Sequence, residues 1–387
     1  MEKRERKMNS KRLFVIALLF ATVIVTSCGS QEFADDSGVD STNVLTNVTV
    51  NTSVRKTGQY PENFVLTFEK EIRNANVAPE SFHLSGEAGY WGSDDTRSFE
   101  AVFSAAEIKG NTLTLTPDSF PEKYFYVKQF KVDCSEDSTF DFSSSDISEV
   151  ITPVADDFET YTSNGSVSFD YHLFDPKKSE PMPVVIVFHG YGDTNNLLTY
   201  RTAVEWGEPE NQEKRPCFVL APVIDDNTYF SSKGRDEVFT SVHDIIGQMI
   251  SDGKVDADKV YVMGNSFGGL STIEYAEKYP EDVAGALALC PALNYSNNSL
   301  LNIKNMVNVP VWFAHAKNDN TIPASNSETA VKALENLGAK EVRFTEYTDE
   351  EMNAAGADSA PDATYSYHHV ELVVMEDDAF MEWLFEQ

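Results

Sequence analysis

Between an apolar, strand-like run at Val260-Tyr261-Val262-Met263 and a helix-like stretch halted by Pro280 stands Gly264-Asn265-Ser266-Phe267-Gly268-Gly269. A chain with G-x-S-x-G at such a junction must turn sharply from strand into helix. The glycines serve where the backbone is strained or passes close to its neighbours. The bare pattern would arise by chance on the order of 0.1 times in a chain this long. Its position, after a strand and opening a helix, is what gives it weight. A serine hydroxyl aimed by that turn becomes a nucleophile once a neighbouring base takes its proton. Ser266 is the candidate nucleophile.

The surrounding pattern predicts the scaffold this motif needs. From about Ile151, short apolar runs at Val184–Phe188, Phe218–Ala221, Val260–Met263 and Val311–Ala314 alternate with helical periodicity. That alternation predicts an α/β fold, a mostly parallel sheet with helices on both faces. One helix presents Phe239, Val242, Ile245, Ile246 and Met249 on one face. Another is expected to start at Ser325, with Glu328 completing a capping box, and to bury Val331, Leu334 and Leu337. A last helix carries Phe380, Trp383 and Leu384. Upstream, Val48/Val50, Phe64/Leu66/Phe68, Phe99/Ala101/Phe103 and Leu113/Leu115 repeat with period two between turn residues, which predicts a small all-β sandwich. The expected organisation is a signal at 1–28, a flexible tether at 29–42, a β-sandwich at 43–150 and an α/β domain at 151–387.

The partners of Ser266 follow from loop position and order. His189-Gly190-Tyr191-Gly192-Asp193 leaves the strand ending at Phe188. In such folds that loop gives one oxyanion-binding amide and the residue after the nucleophile gives the other, here Tyr191 and Phe267. The acid and base should follow the serine, acid first. His83, His172, His189 and His243 precede Ser266, and His315 lies inside a strand before any suitable acid. That leaves His368 and His369, adjacent residues between which the pattern alone does not choose. Asp319, just past the strand at Val311–Ala314, is the candidate acid. No HExxH, GxxxxGK[ST] or strand-borne GxGxxG occurs, so neither a metal nor a cofactor is expected.

Charge and termini bound the setting. With 62 acidic against 30 basic residues the net charge is −32, which argues against nucleic acid as a partner. Six basic residues from Lys3 to Arg12 precede the uncharged run Leu13–Val25 and then Thr26-Ser27-Cys28. A basic region, a short apolar core and small residues describe a secretory signal, and the run is short for a membrane span. Its end resembles a bacterial lipobox, which implies lipidation of Cys28 and an extracytoplasmic protein held to a membrane through that anchor alone. Translation from Met8 would leave this signal complete. Cys134, Cys217 and Cys290 are scattered and lack CxxC spacing, which fits neither a disulfide framework nor a zinc site. Cys290, in Leu287-Ala288-Leu289-Cys290, is expected to be a small core residue.

Taken together, the chain resembles bacterial α/β-hydrolase esterases with an N-terminal immunoglobulin-like domain. These are related to feruloyl and polyhydroxybutyrate-type esterases and to the prolyl oligopeptidase catalytic domain. The resemblance rests on Val184–Asp193, on Trp206–Pro222 with Gln212 and Arg215-Pro216-Cys217, on the turn at Ser266, and on Trp383-Leu384-Phe385. It implies hydrolysis of a small-molecule or polysaccharide-linked ester through an acyl-enzyme. The interval to Trp383 seen in those enzymes implies His368 as the base. Two departures stand out: Glu371 where an aromatic residue is common, and the apolar run Leu372–Met375. The rival readings are a prolyl oligopeptidase-like peptidase, which usually carries a β-propeller far larger than this β region, and a non-catalytic surface adhesion or carbohydrate-binding protein.

Overall fold

The computed structural model describes residues 43–387 apart from 56–57, 74–76, 90–95, 122–126, 166, 195, 200, 297–298 and 359–365. The expected signal, Cys28 and the tether lie outside the described residues. No described helix is long and apolar enough to cross a membrane. The described residues divide into two compact units, 43–53 with 58–153, and 54–55 with 154–387.

In the first unit the period-two pattern becomes buried rows. Val48, Val50, Phe64, Leu66, Phe68, Leu113 and Leu115 are at most 1% exposed, whereas Phe99 is only half buried. The long strand Thr96–Lys109 pairs antiparallel with Phe82–Gly89 through its first half and with Thr112–Pro117 through its second. Its register shifts between Phe103 and Ala105, so one strand serves two parts of the sheet. Those parts face each other across an aromatic core, where the Phe64 and Phe130 rings lie 5.6 Å apart, edge to face. Strand Leu45–Arg55 pairs parallel with Ile147–Ile151.

The second unit holds an eight-stranded sheet: β1 (Glu159–Thr162), β2 (Asp170–Phe174), β3 (Met182–Phe188), β4 (Phe218–Pro222), β5 (Val255–Asn265), β6 (Gly285–Leu289), β7 (Val311–Ala316) and β8 (Val342–Tyr347). Its spatial order is β8-β7-β6-β5-β3-β4-β2-β1. Pairing is parallel from β4 to β8, and β2 runs antiparallel to both β1 and β4. This is the α/β-hydrolase arrangement. Along β3 alternate side chains enter opposite cores: Val184, Ile186 and Phe188 one, Val185 and Val187 the other. The first core is closed by helices α1 (Ser232–Ser251), α2 (Phe267–Lys278) and α3 (Ser325–Leu337). The second is closed by Trp206 and by α4 (Asp378–Phe385), whose Phe380, Trp383 and Leu384 are buried. Each such large apolar side chain contributes about 1.5–3 kcal/mol. Gln212 braces the approach to β4: its amide donates to the Trp206 carbonyl at 2.7 Å and accepts from the Cys217 amide at 3.3 Å.

Two local expectations fail at α3. Its N-cap is Ala324 in helical conformation, so no capping box forms. The turn from Pro323 winds directly into the helix, leaving Ser325 inside it, and Glu328 pairs instead with Lys332 at 3.1 Å. Leu337 is half exposed, because it is the last helical residue before the chain turns away at Gly338, φ +84°. On α2, Glu277 is buried, and its Oε1 has no partner among the described residues. Burial, reinforced by the Glu274 carboxylate, pushes its carboxyl up to about 9.

Candidate active site

Ser266 stands alone between the end of β5 and the first residue of α2, at φ 57°, ψ −117°. A non-glycine residue there costs on the order of 1–3 kcal/mol unless its surroundings hold it. They do. The Ser266 amide donates to the Leu289 carbonyl at 2.9 Å, and its carbonyl accepts from Leu270 and Ala292 at 3.0 Å. The flanking glycines are required by clearance. A Cβ on Gly268 would lie 2.0 Å from the Phe188 carbonyl oxygen, one on Gly264 2.5 Å from the same atom, and one on Gly269 2.6 Å from the Leu289 oxygen. The helix can cross the ends of β3 and β6 only with hydrogen at these positions.

His368 reaches this serine from a loop 102 residues later, with Nε2 2.8 Å from Ser266 Oγ and Nδ1 2.7 Å from Asp319 Oδ2. The Asp319 side chain is fully buried at the exit of β7, and its Oδ1 accepts from the amides of Thr321 and Ile322 at 2.8 and 2.9 Å. Burial works to raise this carboxyl. Hydrogen bonds from His315 and His368, the His368 charge and the Ile322 amide outweigh it and hold the pKa below the usual carboxylate range. Burial likewise opposes a charge on His368, yet its pKa is raised well above 6.5 by the Cys290 sulfur and the Asp319 carboxylate. Burial also raises the Cys290 thiol, so that sulfur is neutral near pH 7 and the carboxylate is the charge that counts.

The other expected residues fall as follows. His369 points elsewhere: its Nδ1 pairs with the buried Glu371 carboxylate at 2.9 Å. Phe267 is the first residue of α2, where an amide has no intrahelical acceptor. Tyr191 lies in the loop after β3, and a Cβ on its neighbour Gly190 would sit 3.8 Å from Ser266 Cβ. Among the described residues neither the Tyr191 nor the Phe267 amide donates to another group. His189 is buried and neutral, its pKa lowered to about 4 by burial. Its Nε2 accepts from the Ile224 amide at 2.8 Å, which leaves the proton on Nδ1, 2.6 Å from the Gly190 carbonyl. It shapes the loop.

Two contributors escape a reading of the sequence. His315, set aside as a strand residue, is completely buried, and its Nε2 lies 3.0 Å from the Ile322 carbonyl and 3.2 Å from Asp319 Oδ2. A carbonyl can only accept, so Nε2 carries the proton and braces the acid from behind, while Nδ1 meets Ser327 Oγ at 2.8 Å. The only signal was the four-residue spacing from His315 to Asp319. Cys290 is a core residue, as expected, but its thiol also donates to the His368 carbonyl at 3.2 Å. The ligand-capable atoms of Cys290, Asp319 and His368 lie within 4.8 Å of one another. Both imidazole nitrogens are nevertheless engaged by the serine and the acid, the wiring of a proton relay. A cavity of about 500 Å³ beside Asp319 is lined by Lys317, Pro323, Ser325, Glu328 and Glu346, and by neither Ser266 nor His368.

Residues 216–356 match the phospholipase/carboxylesterase family, which supports a carboxylic ester hydrolase. No curated protein matches the chain. Among solved structures, a thermostable esterase is similar at 24% identity and a TM-score of 0.69, over 88% of this chain and 99% of the esterase. That span is longer than the second unit alone, and the two share a fold. A putative dienelactone hydrolase from Klebsiella pneumoniae subsp. pneumoniae MGH 78578 is similar at 20% identity, over 59% of this chain and 98% of the other, with a TM-score of 0.43. Est1E from Butyrivibrio proteoclasticus is similar at 15% identity, over 59% and 99%, also at 0.43.

Proposed function

We propose that the chain is a serine esterase that hydrolyses carboxylic esters through an acyl-enzyme formed on Ser266. The observation that carries this reading is the continuous relay from Ser266 Oγ through His368 to Asp319, at 2.8 and 2.7 Å. His368 Nε2 takes the hydroxyl proton as Oγ attacks the ester carbonyl carbon. Asp319 fixes the tautomer and stabilises the imidazolium. The amides of Tyr191 and Phe267 receive the oxyanion, a role supported by their position beside Ser266 and their lack of other acceptors. Collapse of the tetrahedral intermediate expels the alcohol, which takes the proton from Nε2. Water, activated by the same imidazole, then releases the acid.

The N-terminal unit is read as an immunoglobulin-like module, supported by strands folded about one phenylalanine-rich core. The signal and lipid anchor at Cys28 would hold both units outside the cytoplasm on a bacterial membrane, at the cell surface or on the periplasmic side. This rests on residues 3–28 of the sequence alone. A fluorophosphonate probe tests the catalytic reading: it should label the wild type and leave Ser266→Ala unlabelled. Equal labelling of both proteins refutes it.

A further inference from the structure

Of the six large apolar side chains that the second unit leaves exposed among the described residues, the three aromatic ones lie together. Tyr191, Phe230 and Tyr295 are 38%, 54% and 52% exposed, and all three surround Phe267, the residue after the nucleophile. From the Phe267 ring, Phe230 lies 5.2 Å away, Tyr295 5.1 Å and Tyr191 5.8 Å; Tyr191 and Phe230 are 5.0 Å apart. A contiguous aromatic surface of this kind marks a binding site more often than solvated surface.

The surface is also built. Arg235, wholly buried, donates from Nε to Glu274 Oε2 at 2.6 Å, from Nη2 to Glu274 Oε1 at 3.0 Å, and from Nη1 to the Tyr229 carbonyl. Glu274 Oε1 also accepts from Ser296 Oγ at 2.7 Å. One buried ion pair thus fixes the residues beside Phe230 and Tyr295, whose rings lie 6.3 Å apart over Phe267. The Gly192 amide donates to Asp226 Oδ1 at 3.1 Å, tying the Tyr191 loop to the short helix Asp226–Phe230. That carboxylate beside Tyr191 favours an uncharged occupant over an anionic one.

We propose that Tyr191, Phe230, Phe267 and Tyr295 form a subsite for an uncharged aromatic ring on the ester hydrolysed at Ser266. The assignment rests on the esterase reading. Continuity carries it: Phe267 follows the nucleophile in the oxyanion-binding turn and, only 5% exposed, forms the floor against which the three exposed rings pack, so a ring seated among them lies beside the serine. The ring could belong to the acid or to the alcohol. Offset or edge-to-face packing is the same for both.

The test compares ethyl 3-phenylpropanoate, with the ring in the acid, and benzyl butanoate, with the ring in the alcohol, each against ethyl butanoate. The enzymes are the wild type, Phe230→Ala, Tyr295→Ala and Leu337→Ala, the last an exposed apolar residue away from the cluster. In the wild type one aromatic ester should be preferred. In Phe230→Ala and Tyr295→Ala its kcat/KM relative to ethyl butanoate should fall about threefold to tenfold, mainly through KM. Leu337→Ala should leave that ratio in place. An unchanged ratio for both aromatic esters, or a loss of self-association in Phe230→Ala without a change in ratio, overturns the subsite while the esterase reading stands. Ester hydrolysis that persists in Ser266→Ala overturns the esterase reading, and the subsite with it.

Discussion

Replacing Glu277 with Gln should stabilise the second unit, by an amount that grows with pH. The carboxyl is buried on α2 with one oxygen unpartnered, and its pKa is pushed from 4.5 to about 9. An acid whose folded pKa lies above its unfolded value is held protonated by the fold while the unfolded chain ionises. The unfolded state then binds fewer protons, and stability falls as pH rises from about 4.5 towards about 9. Each pH unit in that window costs about 1.4 kcal/mol. At pH 7 the accumulated cost is on the order of 3 kcal/mol. Gln has the shape of the protonated acid and never ionises, so Glu277→Gln removes the cost. Urea unfolding followed by tryptophan fluorescence suits the measurement, because Trp206, Trp312 and Trp383, three of the four tryptophans, lie in the second unit. The stability difference between the two proteins should be small near pH 4.5 and rise through pH 7, with all other titrations cancelling. A difference that stays constant from pH 5 to pH 8 would mean that Glu277 ionises normally in the folded protein, and the reasoning would fail.

Other predictions concern the site itself. His368→Ala should abolish turnover and His369→Ala should not, as read by ester hydrolysis of the purified proteins; the reverse pattern would reassign the base. Because only neutral His368 can accept the serine proton, kcat/KM should rise with pH through an inflection above 6.5, the direction set by its raised pKa. Asp319→Asn should move that inflection down and lower kcat on the order of 10³–10⁴-fold; an inflection that stays in place would show that the carboxylate does not set it. Gly268→Ala should lose both activity and thermal stability, since the added carbon falls on the Phe188 carbonyl. A well-folded Gly268→Ala protein with full activity would contradict that clearance.

The parts of the fold that were legible in the sequence are those fixed by local periodicity. The continuous apolar run of β3 signals a strand covered on both faces, and the structure sends its alternate residues into two cores. The order of strand, loop, turn, acid and histidine confines the candidate residues to a few positions. What stayed closed depends on contacts made far along the chain. His368 and His369 have the same neighbours in sequence and differ only in what approaches them, Asp319 in one case and Glu371 in the other. His315 looks like any polar residue caught in a strand until the turn at Ile322 folds back over it. The aromatic surface is invisible for the same reason, because its four residues are separated by up to 104 positions. Even the missed cap at Ser325 is a matter of one preceding residue, Ala324, adopting helical angles that its composition does not dictate.

The glycines around Ser266 also bear on how such a motif should be understood wherever it occurs. Of the pattern Gly264-Asn265-Ser266-Phe267-Gly268, the Ser266 oxygen and the Phe267 amide carry the proposed chemistry, while Gly264 and Gly268 are required because the Phe188 carbonyl leaves no room for carbon. The two requirements are separable. A descendant of this chain that exchanged Ser266 for Ala or Asn would cease to hydrolyse anything and would still need hydrogen at 264 and 268 to stay folded. The glycine spacing is therefore a fossil of architecture and outlasts the reaction. The serine alone records whether the enzyme is still in service.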